Sequence, residues 1–187
     1  VSLNERYETF FAPDREQKKK YLDQVYELLQ KSYARKGGLH GLDNKEELID
    51  DCDLWKLVRR GDTITAAFLY KTKRGGRKIC YAGQNGTDQG KTDFYKVVAE
   101  DVRMTDRKAW AEGDEQICHI YIDKYGATPL PAIMVKWLFP DKKIEKFDPD
   151  GYHYYRRIGP HLDRKMMFGN LTNDPELRAK MASLPPM

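Results

Sequence analysis

Apolar positions define the first element of the chain. Between Arg15 and Tyr33 they fall at Tyr21, Leu22, Val25, Leu28, Leu29 and Tyr33, with Ser32 beside them, which is one face of a helix. Asp14 precedes this run with Gln17 three residues on, a capping-box arrangement, and Gly37-Gly38 closes it. Lys18, Lys19 and Lys20 crowd the first turn, where the helix dipole disfavours cations. They read as a solvated face, with a ligand or nucleic-acid patch as the alternative. A short second helix is predicted from Asn44 to Asp51, with Glu46 and Glu47 in its first turn.

The pattern then changes to strand-like runs. Leu54–Arg59, Thr63–Tyr70 and Arg77–Ala82 are rich in β-branched and aromatic residues, and they are parted by Gly61-Asp62 and by Lys73-Arg74-Gly75-Gly76. They predict a three-stranded antiparallel meander. The basic residues Lys71, Lys73, Arg74, Arg77 and Lys78 read as a solubilising hairpin tip. A glycine-bearing loop, Gly83 to Thr92, leads into a helix that opens near Thr92 and carries Phe94, Tyr95, Val97, Val98 and Val102. Lys108–Glu112 is a strand candidate. Asp114 is an N-cap for a helix running to Gly126, and Ala132–Phe139 is a further helix after Pro129 and Pro131. Strands at Lys143–Asp148 and Tyr152–Ile158 flank the turn Asp148-Pro149-Asp150-Gly151, with Lys165–Phe168 pairing beside them. A weak helix, Pro175–Met181, lies in the tail. This order predicts an α+β or mixed α/β fold. One domain over residues 1–170 has a central, mostly antiparallel sheet flanked by helices, and residues 171–187 form a C-terminal tail.

Composition narrows the classes. At 187 residues the chain can bury a full core without metal or disulfide staples. Its mean hydropathy is -0.78, and no apolar run reaches the roughly 18–20 residues of a membrane span, so no membrane partner is expected. Lys and Arg exceed Asp and Glu by 33 to 29, a net charge of +4. That permits an anionic ligand and does not require nucleic acid. Cys52, Cys80 and Cys118 are widely spaced without a C-x-x-C, so no metal site is expected. Free thiols and no export signal point to a cytoplasmic setting.

The glycine loop carries the clearest chemistry. The first N–H groups of a helix lack internal partners and attract anions, and glycines let the backbone approach closely. Gly83, Gly86 and Gly90 supply the approach, and Lys91 and Thr92 supply side-chain donors. One family with such a cradle is the P-loop NTPases, since Gly86–Thr92 (GTDQGKT) is near G-x-x-x-x-G-K-[ST]. Asn85 stands where its first glycine belongs, and antiparallel strands precede the loop.

The order of elements more closely resembles the GNAT acyltransferase superfamily. Its loop pattern, Q/R-x-x-G-x-G/A, is similar to Thr87-Asp88-Gln89-Gly90-Lys91-Thr92: Gly90 matches, while Thr87 and Thr92 are substitutions. Its F-Y-E-K-L-G-F segment resembles Tyr121 to Ala127 at Tyr121, Asp123, Lys124 and Gly126. The resemblance runs from Tyr21 to Phe168. It implies an acyl-CoA cofactor, usually acetyl-CoA, held by Thr87, Gln89, Gly90, Lys91 and Thr92, in a sheet splayed after the fourth strand. It also implies acyl transfer to the amine of a small molecule or a protein. Glu112 would be the general base and Tyr121, one place from the family's tyrosine, the general acid, with His119 as another base candidate. The loop substitutions and the displaced tyrosine also imply an alternative, a GNAT-like fold without catalysis that acts as a binding or structural protein. The segment Tyr152 to Arg157, with four rings before two arginines, reads as a strand with one aromatic face in the core or as a surface that stacks nucleotide bases. Neither the acceptor nor an oligomeric state is legible.

Overall fold

In the computed structural model the described residues are 6–39, 42–73, 75–103, 108–170 and 175–184. The chain divides into two compact units, residues 1–74 with 78–97, and residues 75–77 with 98–187. Its strands are mostly antiparallel and alternate with helices, the mixed α/β class that the pattern predicts.

In the first unit, β1 (Tyr7–Ala12), β2 (Leu54–Arg60), β3 (Thr63–Lys73) and β4 (Gly76–Gln84) follow one another in sheet order. The β2–β3 pair is antiparallel, as the predicted meander requires, and so is the β1–β2 pair. A P-loop reading needs parallel strands ahead of the loop, so these pairings count against it. β1 is an addition, since no strand is predicted there. α1 (Arg15–Ser32) begins at the expected cap: Asp14 Oδ1 accepts the Gln17 N–H at 2.8 Å. Its Leu22, Val25, Leu28 and Leu29 are buried in one cluster with Trp55, Leu57, Ala67 and Leu69 of the sheet and Leu48 of α2 (Glu47–Asp51). Each Leu or Val among them contributes about 1.5–3 kcal/mol by leaving water. Lys18 departs from the solvated reading. It is 5% exposed, and its ammonium donates to the Asp53 carbonyl at 2.7 Å.

β3 is buried at seven consecutive residues, Ile64 to Tyr70, because both of its faces are covered. Ala67 and Leu69 meet the α1 cluster, while the Phe68 ring stacks on Phe94 of α3 (Asp88–Arg103) with centroids 4.9 Å apart. The β2–β3 register pairs Val58 with Ala66 and Arg59 with Ile64, so Thr65 is the extra residue of a bulge.

In the second unit β9 (His161–Asn170) is the axis. Its second half pairs with β5 (Ala109–Gly113) and β6 (Thr128–Leu130), and its first half with β8 (Tyr154–Ile158), which pairs in turn with β7 (Lys146–Phe147). All four pairings are antiparallel. β6 was not expected, because Pro129 cannot donate to a ladder; it sits at a short pairing where only three residues match. α5 (Ala132–Leu138) covers one sheet face through Met134, Val135 and Leu138 against Trp110, Tyr154 and Met167. The other face receives α4 (Glu115–His119), whose Cys118 thiol donates to the Gly113 carbonyl at 3.3 Å. The predicted helix to Gly126 continues as a π-helical turn, Ile120–Lys124, and Gly126 follows at φ 77°. α6 (Pro175–Ala182) ends the described chain. The Arg74 member of the predicted basic hairpin tip lies outside the described residues. Among the described residues no helix is long and apolar enough to cross a membrane.

Candidate functional site

The bulge at Thr65 builds the entrance to α3. Bulges re-aim a side chain, and here the Thr65 hydroxyl donates to Asp93 Oδ2 at 2.8 Å while its carbonyl accepts the Asn85 N–H at 2.9 Å. Asp93 is fully buried. Arg60 grips it with two bonds of 3.1 and 3.0 Å, and the Gln89 amide adds a third donor at 2.9 Å. Burial alone would raise the Asp93 pKa, but the Arg60, Thr65 and Gln89 hydrogen bonds outweigh it and hold the carboxyl below its ordinary value. The first turn of α3 is thereby clamped to the sheet.

α3 begins at Asp88, four residues ahead of expectation, with Thr87 as its cap. Three amides of the turn are taken by the chain itself. Gln84 Oε1 accepts from Gly86, Asn85 Oδ1 accepts from Thr87, and the Thr87 hydroxyl accepts from Gly90 at 3.0 Å. Lys91 N–H already makes the first helical bond, to the Thr87 carbonyl. The first two helical residues, Asp88 and Gln89, have no acceptor within the helix. Of the predicted cofactor residues, Thr87 is thus a cap, Gln89 reaches inward to Asp93, and the Thr92 hydroxyl donates to the Asp88 carbonyl at 3.1 Å. Lys91 is exposed. Gly90 is buried against protein: a Cβ there would lie 2.1 Å from Asn85 Oδ1 and 3.1 Å from the Thr65 carbonyl. Gly86, at φ 87°, has open space where a Cβ would stand.

Glu112 of β5 lies in the second unit at the centre of a buried ion cluster. Its Oε1 accepts from Lys142 and from Arg156, both at 2.6 Å, and its Oε2 accepts from the Tyr154 hydroxyl at 2.6 Å. The Glu112 and Lys142 side chains are 8% and 7% exposed. Burial, and then the Glu112 charge, push the Tyr154 phenol far above its ordinary range, so it remains a neutral donor. Both carboxylate oxygens therefore already accept from buried donors.

Tyr121 is buried, with its ring 4.9 Å from that of Phe168. Paired residues of an antiparallel ladder share a face and successive residues alternate. Phe168 pairs with Ala111, and Met167 pairs with Glu112. Tyr121 therefore packs on one face of β5–β9 while Glu112 projects from the other, so the two predicted catalytic residues are not brought together. The Tyr152 to Arg157 segment has the alternation expected of it, since Tyr154 and Arg156 both reach Glu112. Tyr154 is fully buried and offers no face for a base to stack on. Sequence reasoning missed Asp93, Arg60 and Lys142. The signal within reach was Asp93, a charge beside Phe94 and one turn ahead of Val97 at the start of an apolar helix face. No cluster of potential metal ligands occurs among the described residues.

No family model and no curated protein sequence matches the chain. Solved structures do. The ribosomal-protein-S18-alanine N-acetyltransferase from Escherichia coli is similar at a TM-score of 0.49 and 9% identity, over 86% of this chain and 92% of that one. A GNAT family acetyltransferase from Brucella melitensis, in complex with acetyl-CoA, is similar at 0.43 and 12%, over 65% and 83%. FeeM, an N-acyl amino acid synthase from uncultured soil microbes, is similar at 0.46 and 8%, over 96% of each chain.

Proposed function

We propose that the chain binds an acyl-CoA at the β4–α3 turn and passes its acyl group to an amine. The supporting observation is the open end of α3. A strand runs through Gly86, at φ 87°, into a helix whose first two amides lack helical acceptors, with the exposed Lys91 ammonium on the same turn. The Asp88 and Gln89 N–H groups and Lys91 would hold the cofactor's pyrophosphate, with the Thr87 and Thr92 hydroxyls at the rim. Gly90 serves by packing α3 against Asn85 and Thr65. The bound thioester supplies the acyl group. The amine must lose a proton and the departing thiolate must gain one. With Glu112 committed to Lys142, Arg156 and Tyr154, deprotonation runs through water, and Tyr121 is the proposed acid.

A second reading, a binding module without turnover, is favoured by Asp88, because a carboxylate at the first position of α3 opposes an anion. Calorimetric titration with acetyl-CoA, followed by release of free thiol on adding amines, separates the two. Lys91→Ala should weaken binding. Asp88→Asn should strengthen it about two- to fivefold, the equivalent of a helix-end charge of about 0.3–1 kcal/mol. Absence of binding to both wild type and Asp88→Asn refutes the acyl-CoA reading and supports the module. Binding without thiol release from any amine refutes turnover alone.

A further inference from the structure

Two of the three cysteines meet in the first unit. Cys52 stands in the extended joint between α2 and β2, at φ −122° and ψ 107°, and is fully buried in the cluster around α1. Cys80 belongs to β4, packs against the same cluster and is half-buried. In the sheet β3 lies between β2 and β4, and the joint is fastened to it. Asp53 Oδ1 accepts the Thr72 N–H at 2.8 Å, and Oδ2 accepts the Thr72 hydroxyl at 2.7 Å. Cys118 belongs to the second unit, where its thiol donates to the Gly113 carbonyl. Neither Cys52 nor Cys80 takes part in the acyl-transfer reading.

The contacts give the two sulfurs different roles. The Cys52 thiol donates to the Cys80 sulfur, and the Lys71 backbone N–H donates to it as well. The charges of Lys78 and Lys71 act in the same direction. The Cys80 proton itself finds only a long contact of 3.8 Å, to the Lys78 carbonyl. The hydrogen bond from Cys52, opposed by burial, leads the effects that bring the Cys80 thiol down to about 7. The Cys52 thiol moves upward, because its hydrogen bond to Cys80 holds the proton and because it is buried. Cys80 is thus the thiolate of the pair and Cys52 its thiol. The thiolate is the nucleophile, and Cys80 is also the member with exposed surface, Cys52 having none. Sulfurs in hydrogen-bond contact need to close by about 1–2 Å to reach the disulfide length of about 2.05 Å. Cys52 stands between a helix and a strand, so its shift breaks no ladder bond.

We propose that Cys52 and Cys80 form a peroxide-reactive dithiol: a small hydroperoxide oxidises Cys80 to a sulfenic acid, and Cys52 converts that acid to an intramolecular disulfide. In the first step a sulfur–oxygen bond forms at Cys80 while the oxygen–oxygen bond breaks, and the departing oxygen leaves as water or an alcohol after taking a proton. In the second step the Cys52 sulfur attacks the Cys80 sulfur. The sulfur–sulfur bond forms, the sulfur–oxygen bond breaks, and the hydroxide leaves as water with the Cys52 proton. Two thiols are oxidised by two electrons in total, and the hydroperoxide is reduced by the same two. The proposal does not depend on acyl-CoA binding.

Stoichiometric hydrogen peroxide added to the reduced, intact chain tests it. Remaining thiols are alkylated in denaturant, and the peptides are read by mass spectrometry. The wild type should lose two hydrogen atoms in mass, stay monomeric and yield a Cys52–Cys80 linked peptide that dithiothreitol dissolves. Cys80 should be consumed at least about tenfold faster than Cys118, as its thiolate character demands. Cys52→Ala should stop the reaction at the Cys80 sulfenic acid, which dimedone traps. If that variant fails to fold, Cys80→Ser, at the half-buried strand position, should leave Cys52 fully alkylated after the same treatment. Several results overturn the proposal. One is a wild type whose Cys80 ends unreacted, as a sulfinic acid or in a bridge between two chains, without the Cys52–Cys80 link. Others are oxidation of Cys118 as fast as Cys80, and undiminished oxidation of Cys52 in Cys80→Ser.

Discussion

Replacing Glu112 with Gln separates a structural anchor from a proton acceptor. The amide keeps the size of the side chain and removes the negative charge that Lys142 and Arg156 share at 2.6 Å. Their side chains are 7% and 25% exposed, so water compensates poorly for the lost charge. Removing one member of a buried ion pair costs about 3–5 kcal/mol. For a chain of this length each kcal/mol moves Tm by about 2–4 °C, so Glu112→Gln should lower Tm by roughly 6–20 °C. Adding Lys142→Met withdraws one of the stranded cations. The double variant should then recover at least about 1 kcal/mol relative to Glu112→Gln, a coupling within the usual range for contacting groups. Urea denaturation followed by tryptophan fluorescence reads this directly, since Trp110 lies in the core cluster that contains Tyr154. Turnover should be measured at a temperature where the variant is folded. A Tm unchanged within about 2 °C together with a loss of 100-fold or more in rate would refute the anchor reasoning and make Glu112 the base.

Three further outcomes follow from the geometry. Gly90→Val drives a side chain into Asn85 and the Thr65 carbonyl; it should destabilise the chain by about 1–3 kcal/mol with no cofactor present, as thermal melting will show. Asp93 has a folded-state pKa below its unfolded value, so its stabilisation is complete above about pH 4–5 and is lost as pH falls through the lower, folded value; Asp93→Asn should flatten the acid limb of the urea midpoint plotted against pH. A hydrogen bond from Cys52, opposed by burial and assisted by Lys78 and Lys71, brings the Cys80 thiol down to about 7, while burial pushes Cys118 up to about 12. Iodoacetamide at neutral pH should therefore label Cys80 well ahead of Cys118, as peptide mass spectrometry will read.

Elements with a strong period were legible. The α1 face, its Asp14 cap and the meander after Leu54 follow from apolar spacing and turn residues, and they are found within a few residues of expectation. β1 was hidden because Tyr7–Ala12 is a sheet-edge strand with only Ala12 fully buried, so it carries little alternation. β6 was hidden by Pro129. The Thr65 bulge could not be read, because it exists only in the register between β2 and β3, and either strand alone looks regular. Thr65, Asp93 and Arg60 meet across separations of 28 and 33 residues, and Glu112 meets Lys142 and Arg156 across 30 and 44. No local pattern encodes such pairings.

The candidate site shows where a motif-based assignment of roles stops. Glu112 and Tyr121 are nine positions apart in sequence, and the resemblance gives them complementary roles. Their faces are decided by parity. Glu112 pairs with Met167, on the side covered by Trp110, Tyr154 and α5, whereas α4 crosses behind Ala111 and Phe168 and carries Tyr121 with it. Moving the carboxylate one residue along β5 would transfer it to the Tyr121 side and out of reach of Lys142. The present register instead commits it to two cations and a phenol. A carboxylate in that setting ties β8, and Lys142 beyond the end of α5, to the sheet.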